Sequence, residues 1–174
     1  SPVSEVDSEG LPIFYIKDIP PVSNNSFKVI RPEFYFGEKS NQYVIVNTKQ
    51  KEFDYPRGET NAYTHYQGTG GIRLDSFVKR LIYALKFSDL KILISSLITQ
   101  DSRIMYDRNI KQIAQNLAPF LIFDRDPYLV LTRSGRMKWV LDAYTISNRY
   151  PYSEPYNQSV NYIRNSVKVV IDAY

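Results

Sequence analysis

The chain of 174 residues contains no cysteine. This absence excludes a disulfide scaffold, a thiolate zinc site and a cysteine nucleophile. Histidine occurs once, so any histidine-based acid–base chemistry would depend on His65. A catalytic base also needs a nucleophile and an orienting partner. A solitary histidine between Thr64 and Tyr66 therefore favours a surface or hydrogen-bonded role.

Long apolar runs are also missing. None approaches the roughly 20 residues that cross a bilayer, so no transmembrane span is predicted within this segment. Charges are not gathered into blocks, since 22 Lys and Arg are offset by 18 acids to a net charge of +4. Nucleic-acid binding requires a basic stripe with exposed aromatic residues. We therefore expect no nucleic-acid partner.

Tyrosine, in contrast, is abundant. The chain contains 15 tyrosines, about three times the usual share. A tyrosine buries its ring while its hydroxyl stays hydrated, so many tyrosines indicate sheet surfaces, clefts or contact faces. With 43% hydrophobic residues, the chain is long enough to form one domain with its own core.

The N-terminal part is irregular. Residues 1–10 are polar and acidic without a period, which predicts a flexible leader before a single domain over residues 11–174. A short edge strand is expected over residues 11–16. Residues 42–47 are rich in β-branched side chains and predict a strand. Residues 28–36 are its expected neighbour, although Pro32 indicates an edge position or an irregular start.

Residues 53–71 are aromatic, polar and glycine-bearing, with no sustained period. They predict one long loop, and such loops in compact domains are often functional. The loop ends in Gly68-Thr69-Gly70-Gly71 before a helix, which is a position where backbone amides can hold phosphate. The preceding residues are polar, however, and Asp75 could occupy those amides itself. We therefore favour a tight turn.

Two amphipathic helices are predicted. Apolar residues between positions 74 and 85 recur at i, i+3, i+4 and i+7, with Ser76 or the residue before it as N-cap. A second helix covers residues 110–117 and ends before Pro119. Residues 90–98 are compatible with either a helix or a buried strand, because periodicity alone does not separate the two.

The C-terminal third is predicted to be mostly sheet. Residues 128–132 and 136–143 flank a short turn with Gly135, a pattern typical of a β-hairpin. A Pro- and Tyr-rich loop follows over residues 150–158, and a further strand is expected over residues 167–171. The predicted class is α+β: a mainly antiparallel sheet with about two amphipathic helices packed on it.

Two groups of residues are candidates for a site. The loop residues that could contact a ligand are Tyr63, His65, Tyr66, Tyr150, Tyr152 and Tyr156. The residues that could form either a structural ion pair or an acid site are Asp124, Asp126, Asp142 and Arg164. An Asp-x-Asp pair alone supplies too few oxygen ligands for calcium. We expect no metal and no cofactor.

The residues around position 126 favour a structural role. Pro127 restricts Asp126 to an extended conformation and leaves its carboxylate free to accept hydrogen bonds. Arg164 opens the final predicted strand and would be a suitable partner if that strand lay beside residues 128–132. We therefore predict an ion pair between Asp126 and Arg164, with Tyr128 packed over it.

The chain resembles a known family in five segments, which are YVIVNTKQKEFDYPRG (43–58), GTGGI (68–72), APFLIFDRDPYLV (118–130), DAYTISNRYPYSEP (142–155) and NYIRNSVKVVIDAY (161–174). They are similar to the uncharacterised protein family numbered 0182. Its members are large bacterial and archaeal membrane proteins with N-terminal transmembrane helices and a long extracytoplasmic region. The resemblance implies that the chain is an excised part of that region. It implies no activity and transfers no catalytic residue.

The function that these features favour is an extracytoplasmic binding, sensing or interaction domain of a multi-pass membrane protein at the cell membrane. Its expected partners are the rest of the parent protein and an unknown ligand or envelope protein. The alternative is a cell-surface hydrolase or carbohydrate-processing enzyme that uses Asp124, Asp126 and Asp142. A glycosidase would need two carboxyl groups about 5 to 10 Å apart across an open cleft.

Overall fold

The computed structural model describes residues 3–14, 16–18, 21–23, 28–57 and 59–174. The backbone divides into two compact units. Unit one comprises residues 1–40 and 109–174, and unit two comprises residues 41–108. The single domain that we predicted over residues 11–174 would have to include both units and unfold in one transition.

The strands, in chain order, are β1 (Val3–Val6), β2 (Pro12–Phe14), β3 (Ile16–Lys17), β4 (Val22–Ser23), β5 (Val44–Val46), β6 (Glu52–Arg57), β7 (Thr60–Thr64), β8 (Ile72–Arg73), β9 (Arg103–Met105), β10 (Ile122–Phe123), β11 (Tyr128–Leu131), β12 (Met137–Ser147) and β13 (Tyr162–Asp172). The helices are α1 (Phe77–Phe87), α2 (Lys91–Ile94) and α3 (Ile110–Leu117). The strand pairs are antiparallel, which confirms the predicted α+β class. In the part of the chain described, no helix has the length and apolarity needed to cross a membrane.

Strand β12 is the centre of the four-stranded sheet in unit one. β13 pairs along one edge of β12, while β10 and β11 pair with the other edge. Side chains alternate between the two faces of a strand, so Leu141 points away from solvent and packs against Ile110 and Ala114 of α3. The predicted hairpin is confirmed as β11 and β12, and the last strand is longer than predicted.

The turn of this hairpin depends on Gly135. Its φ of +74° lies in the left-handed region that favours glycine. A Cβ at this position would also lie 2.4 Å from the carbonyl oxygen of Lys28. The close approach is maintained by the Ile30 N–H, which donates to the Gly135 carbonyl (3.0 Å).

The strand predicted over residues 28–36 is wrong. These residues adopt no regular secondary structure and belong to unit one, whereas β5 belongs to unit two. The Tyr35 and Phe36 N–H groups donate instead to the carbonyl of Ala173, just after β13. Pro32 lacks the N–H that a strand ladder requires, which gives the physical reason for the irregular path.

The N-terminal segment forms β-strand pairs that its composition did not predict. Strand β1 lies within the predicted leader and pairs with β2. Residues 1–2 of the leader and Tyr15 of the strand predicted over residues 11–16 lie outside the described residues.

Unit two contains a three-stranded sheet in the order β5-β9-β8, which confirms the predicted strand over residues 42–47. Its core includes Ile104 of β9, Ile92 of α2 and Leu74, which follows β8, and all three are buried. Residues 90–98, for which helix and strand were both open, contain the single helical turn α2.

The long loop predicted over residues 53–71 is wrong in its first half. Strands β6 and β7 form an antiparallel hairpin, in which Phe53 lies opposite Tyr63. The register shifts between Phe53 and Pro56, and this irregularity removes the period of two by which a strand is recognised. The second half, from residue 65 to residue 71, remains a connection.

Both predicted helices are confirmed, and the cap of the first is Ser76. The Ser76 hydroxyl accepts from the Lys79 N–H at the start of α1, and Asn109 accepts from the Lys111 and Gln112 N–H groups at the start of α3. These side chains satisfy amides that have no partner within the helix. Helix α3 ends at Leu117, two residues before the proline.

A half-buried tyrosine provides a prediction for unit two. The Tyr43 hydroxyl donates to Asp89 Oδ2 (2.6 Å). Burial, followed by this hydrogen bond and the Asp89 charge, raises the pKa of Tyr43 to about 12. Because the pKa is raised in the folded state, its contribution to stability is complete below the unfolded value of about 10 and is lost as pH rises through about 12.

Tyr43→Phe should therefore lower the free energy of unfolding at neutral pH by about 1 kcal/mol. The difference from the unsubstituted protein should shrink between about pH 10 and 12, since the ionised phenol no longer donates. Urea denaturation at several pH values measures this, with the exposed Tyr152→Phe as control. A pH-independent difference would contradict the assignment.

Candidate functional site

The connection between β12 and β13, residues 148–161, is here called the tyrosine loop. Asn161 closes it at the base. Its side-chain Oδ1 accepts from the Tyr150 N–H (3.0 Å), and its Nδ2 donates to the Tyr150 carbonyl (2.8 Å). The backbone of Asn161 also donates to Ser147 (2.7 Å) and accepts from the Ser153 hydroxyl. Asn161 thus connects the two ends of the loop through its side chain and its backbone.

The loop presents aromatic rings to solvent. Tyr150 stacks on Tyr162 with ring centroids 4.4 Å apart and planes 9° from parallel. Tyr152 is fully exposed and has a φ of +60°, while Tyr156 is 88% exposed. A non-glycine residue with positive φ is uncommon and is retained where the surroundings determine it. These three predicted ligand-contact residues therefore lie together on a braced loop.

Tyrosine is well suited to contact a partner. It supplies a large amphipathic surface and has few rotatable bonds, so little conformational entropy is lost on binding. The bracing by Asn161 reduces the ordering cost further, since the loop is held before a partner arrives. The chemistry available here is stacking and hydroxyl hydrogen bonding.

Two of the predicted acidic residues lie side by side at the unit-one sheet. Asp124 and Asp142 are neighbours across β10 and β12, because the Asp124 N–H donates to the Asp142 carbonyl (2.8 Å). Their carboxylates, however, have separate partners. Asp142 pairs with Lys168 of β13, and Asp124 accepts from the Arg125 N–H (2.6 Å) and the Tyr144 hydroxyl (3.4 Å).

These contacts shift the pKa values of Lys168 and Tyr144. The hydrogen bond to Asp142, followed by that to the Tyr128 hydroxyl, raises the pKa of Lys168 above its ordinary value. The charge of Asp124 is the main cause that raises the pKa of Tyr144. Each shift favours the protonated form, which is the charged ammonium of Lys168 and the neutral phenol of Tyr144. We call Asp124, Asp142, Tyr144 and Lys168 the charge network.

The ion pair predicted between Asp126 and Arg164 is not among those formed by the described residues. Strand order gives the reason. Arg164 lies opposite Thr145 on β13, whereas Asp126 precedes β11, which pairs with the other edge of β12. The central strand separates the two residues. The ion pair that does form across this sheet joins Asp142 of β12 and Lys168 of β13.

The remaining loop candidates lie in unit two. Tyr63 and His65 are exposed on and just after β7. Tyr66 is buried, and its hydroxyl accepts from the Gly70 N–H (2.9 Å). A Cβ on Gly68 would lie 2.3 Å from that hydroxyl. Tyr66 therefore fills the inside of the glycine turn and is not presented to a ligand.

The backbone carbonyl groups of the glycine turn, residues 68–71, are directed towards the guanidinium of Arg103. Nη1 of Arg103 donates to the carbonyl oxygens of Thr69, Gly70 and Gly71 at 2.8, 3.1 and 3.0 Å. A phosphate site needs amides that converge on an anion, whereas this turn directs carbonyls towards a guanidinium. The arrangement agrees with the tight turn that the sequence favoured.

Sequence reasoning missed Asn161 and Lys168. Asn161 stands just before a strand, which is a position where a short amide side chain commonly bonds to nearby backbone. No local sequence pattern predicted the role of Lys168, because its partner Asp142 is 26 residues away in the chain. Among the residues described, no three His, Asp or Glu side chains are grouped so that they could hold a metal ion.

Comparison with known proteins gives the family. The family model described as an uncharacterised protein family (UPF0182) matches residues 1–174. A UPF0182 protein of Pelotomaculum thermopropionicum is 53% identical over 174 residues, which is 100% of this chain and 19% of that protein. A UPF0182 protein of Pelobacter propionicus is 56% identical over 173 residues, covering 99% of this chain and 19% of the relative. No solved structure matches. The chain thus spans about a fifth of the curated relatives, and it belongs to the uncharacterised protein family UPF0182.

Proposed function

We propose that the chain is an interaction domain in the extracytoplasmic region of a larger membrane protein, and that the tyrosine loop contacts another envelope protein. The observation that carries this proposal is the loop itself. Asn161 braces a loop that holds Tyr152 and Tyr156 in solvent. Exposed aromatic rings on a rigid base are typical of contact surfaces.

The charge network weighs against the hydrolase alternative. A glycosidase needs one carboxyl group that can donate a proton and another that is free to attack or to activate water. Asp142 is paired with Lys168, and Asp124 is engaged by a backbone amide and by Tyr144. Asp126 is exposed and lies at the end of the sheet. These partners favour a structural role for Asp124 and Asp142.

Site-specific photo-crosslinking in the full-length protein tests the contact. A photoreactive phenylalanine analogue at Tyr152 should give a discrete adduct with another envelope protein in intact cells. The matched control places the analogue at Ser134, an exposed residue in the turn between β11 and β12. Equal adducts from both positions, or none from Tyr152, would contradict the proposal.

The location can be tested separately, because the chain has no cysteine. Asn61→Cys in the exposed β7 would provide one thiol in this segment. In a full-length protein whose other cysteines are replaced, a membrane-impermeant maleimide should label this thiol on intact cells. Labelling only after lysis would place the domain on the cytoplasmic side.

A further inference from the structure

Helix α1 carries apolar side chains on two opposite faces. One face contributes Tyr83 and Ala84 to the core of unit two. The other face carries the apolar period recognised in the sequence beyond Leu74, and all five of its residues are exposed: Phe77, Val78, Leu81, Ile82 and Leu85. The periodicity therefore predicted the helix correctly, but this apolar face is not the one that the unit buries.

The exposed residues form one stripe. At 100° per residue, positions 77, 78, 81, 82 and 85 fall within an arc of about 140°. Leu90, the N-cap of α2, and Ile94, the last residue of α2, are 69% and 76% exposed and add apolar surface on the next helix. A wide apolar face on a helix is normally packed against other protein. We call this exposed surface the α1–α2 face.

The three basic side chains of α1 are engaged by groups of unit two. Lys79 pairs with Asp75 (2.8 Å), and Arg80 donates to the carbonyls of Leu74 and Ile98. The ammonium of Lys86 lies 3.8 Å from the centre of the Tyr106 ring. Helices that lie on a lipid surface use their flanking cations to attract anionic headgroups. Cations that are held by protein groups favour a protein partner instead.

The length of the curated relatives indicates where the protein partner of the α1–α2 face comes from. About four fifths of each curated relative lies outside the matched segment. We propose that the α1–α2 face packs against polypeptide of the same protein that lies outside this segment. An intramolecular partner has a high effective concentration, so an apolar helix face can remain uncovered in the segment and be covered in the whole protein.

Cysteine labelling tests this proposal, since the segment has no thiol of its own. Ile82→Cys and Leu85→Cys report on the face, and Asn61→Cys in β7 is the exposed control. Each is labelled with maleimide in the isolated segment and in the full-length protein, with other cysteines replaced and the same detergent in both. Circular dichroism of each isolated variant establishes that it is folded.

We expect labelling at the face to be slower by about tenfold or more in the full-length protein, because a covered thiol reacts only after local opening. The control should react equally in both. Equal rates at the face would overturn the proposal. Slower labelling of the isolated segment in the presence of phosphatidylglycerol vesicles would overturn the proposal in favour of a lipid surface. Slow labelling of the full-length protein that becomes fast on dilution would overturn it in favour of a second copy of the protein.

Discussion

Leu141→Ala is expected to lower the free energy of unfolding by about 3 kcal/mol, because it leaves a cavity at a fully buried position. Leu141 is on the central strand β12 and packs against Ile110 and Ala114 of α3. The surrounding strands are paired on both edges of β12, so the site has little freedom to collapse around the smaller side chain.

The matched control is Val170→Ala on the neighbouring strand β13. Val170 is 55% exposed, and its truncation should cost less than about 1 kcal/mol. Differential scanning calorimetry measures both variants and also tests the predicted single domain. If that domain is cooperative, the Leu141→Ala protein unfolds in one transition at a lower Tm. Two transitions, of which only one shifts, would show that the units unfold separately.

Arg103→Met is expected to lower the free energy of unfolding by about 2 kcal/mol, since hydrogen bonds from a charged donor are worth more than neutral ones. The guanidinium holds three successive carbonyls of the glycine turn. Methionine can fill the space of the aliphatic stem but donates no hydrogen bond. The turn that connects β7 to β8 would lose its internal anchor.

Arg73 provides a close control, because it lies directly opposite Arg103 in the pairing of β8 and β9. Its partner is Asp101 in an exposed ion pair. Such pairs contribute about 0 to 1 kcal/mol, so Arg73→Met should have a smaller effect than Arg103→Met. Urea denaturation compares the two variants. Similar losses would mean that the carbonyl contacts contribute little.

Local patterns predicted the elements that depend on local interactions. An apolar period predicted both α1 and α3, and the N-cap Ser76 also marked the start of α1. The β11–β12 hairpin was predicted from Gly135, because glycine readily adopts the positive φ that the turn requires. Each of these signals lies within a few residues of the structure that it determines.

The remaining features depend on residues that are distant in the chain. Asp142 finds Lys168 only because β12 and β13 pair, and Arg103 reaches a turn more than 30 residues earlier. The β6–β7 hairpin was missed because its register shift hides the period. The exposed side of α1 illustrates a further limit, since periodicity identifies an apolar face without identifying what covers it.

The central claim is that the tyrosine loop is a preformed contact surface. It is tested most directly by the crosslink yield from Tyr152 in the full-length protein when Asn161 is replaced by alanine. The substitution removes both side-chain hydrogen bonds to Tyr150 and leaves the exposed tyrosines in place. We expect the yield to fall by about threefold or more with little change in Tm, because a loosened loop must be ordered on binding. An unchanged yield in Asn161→Ala would contradict the claim.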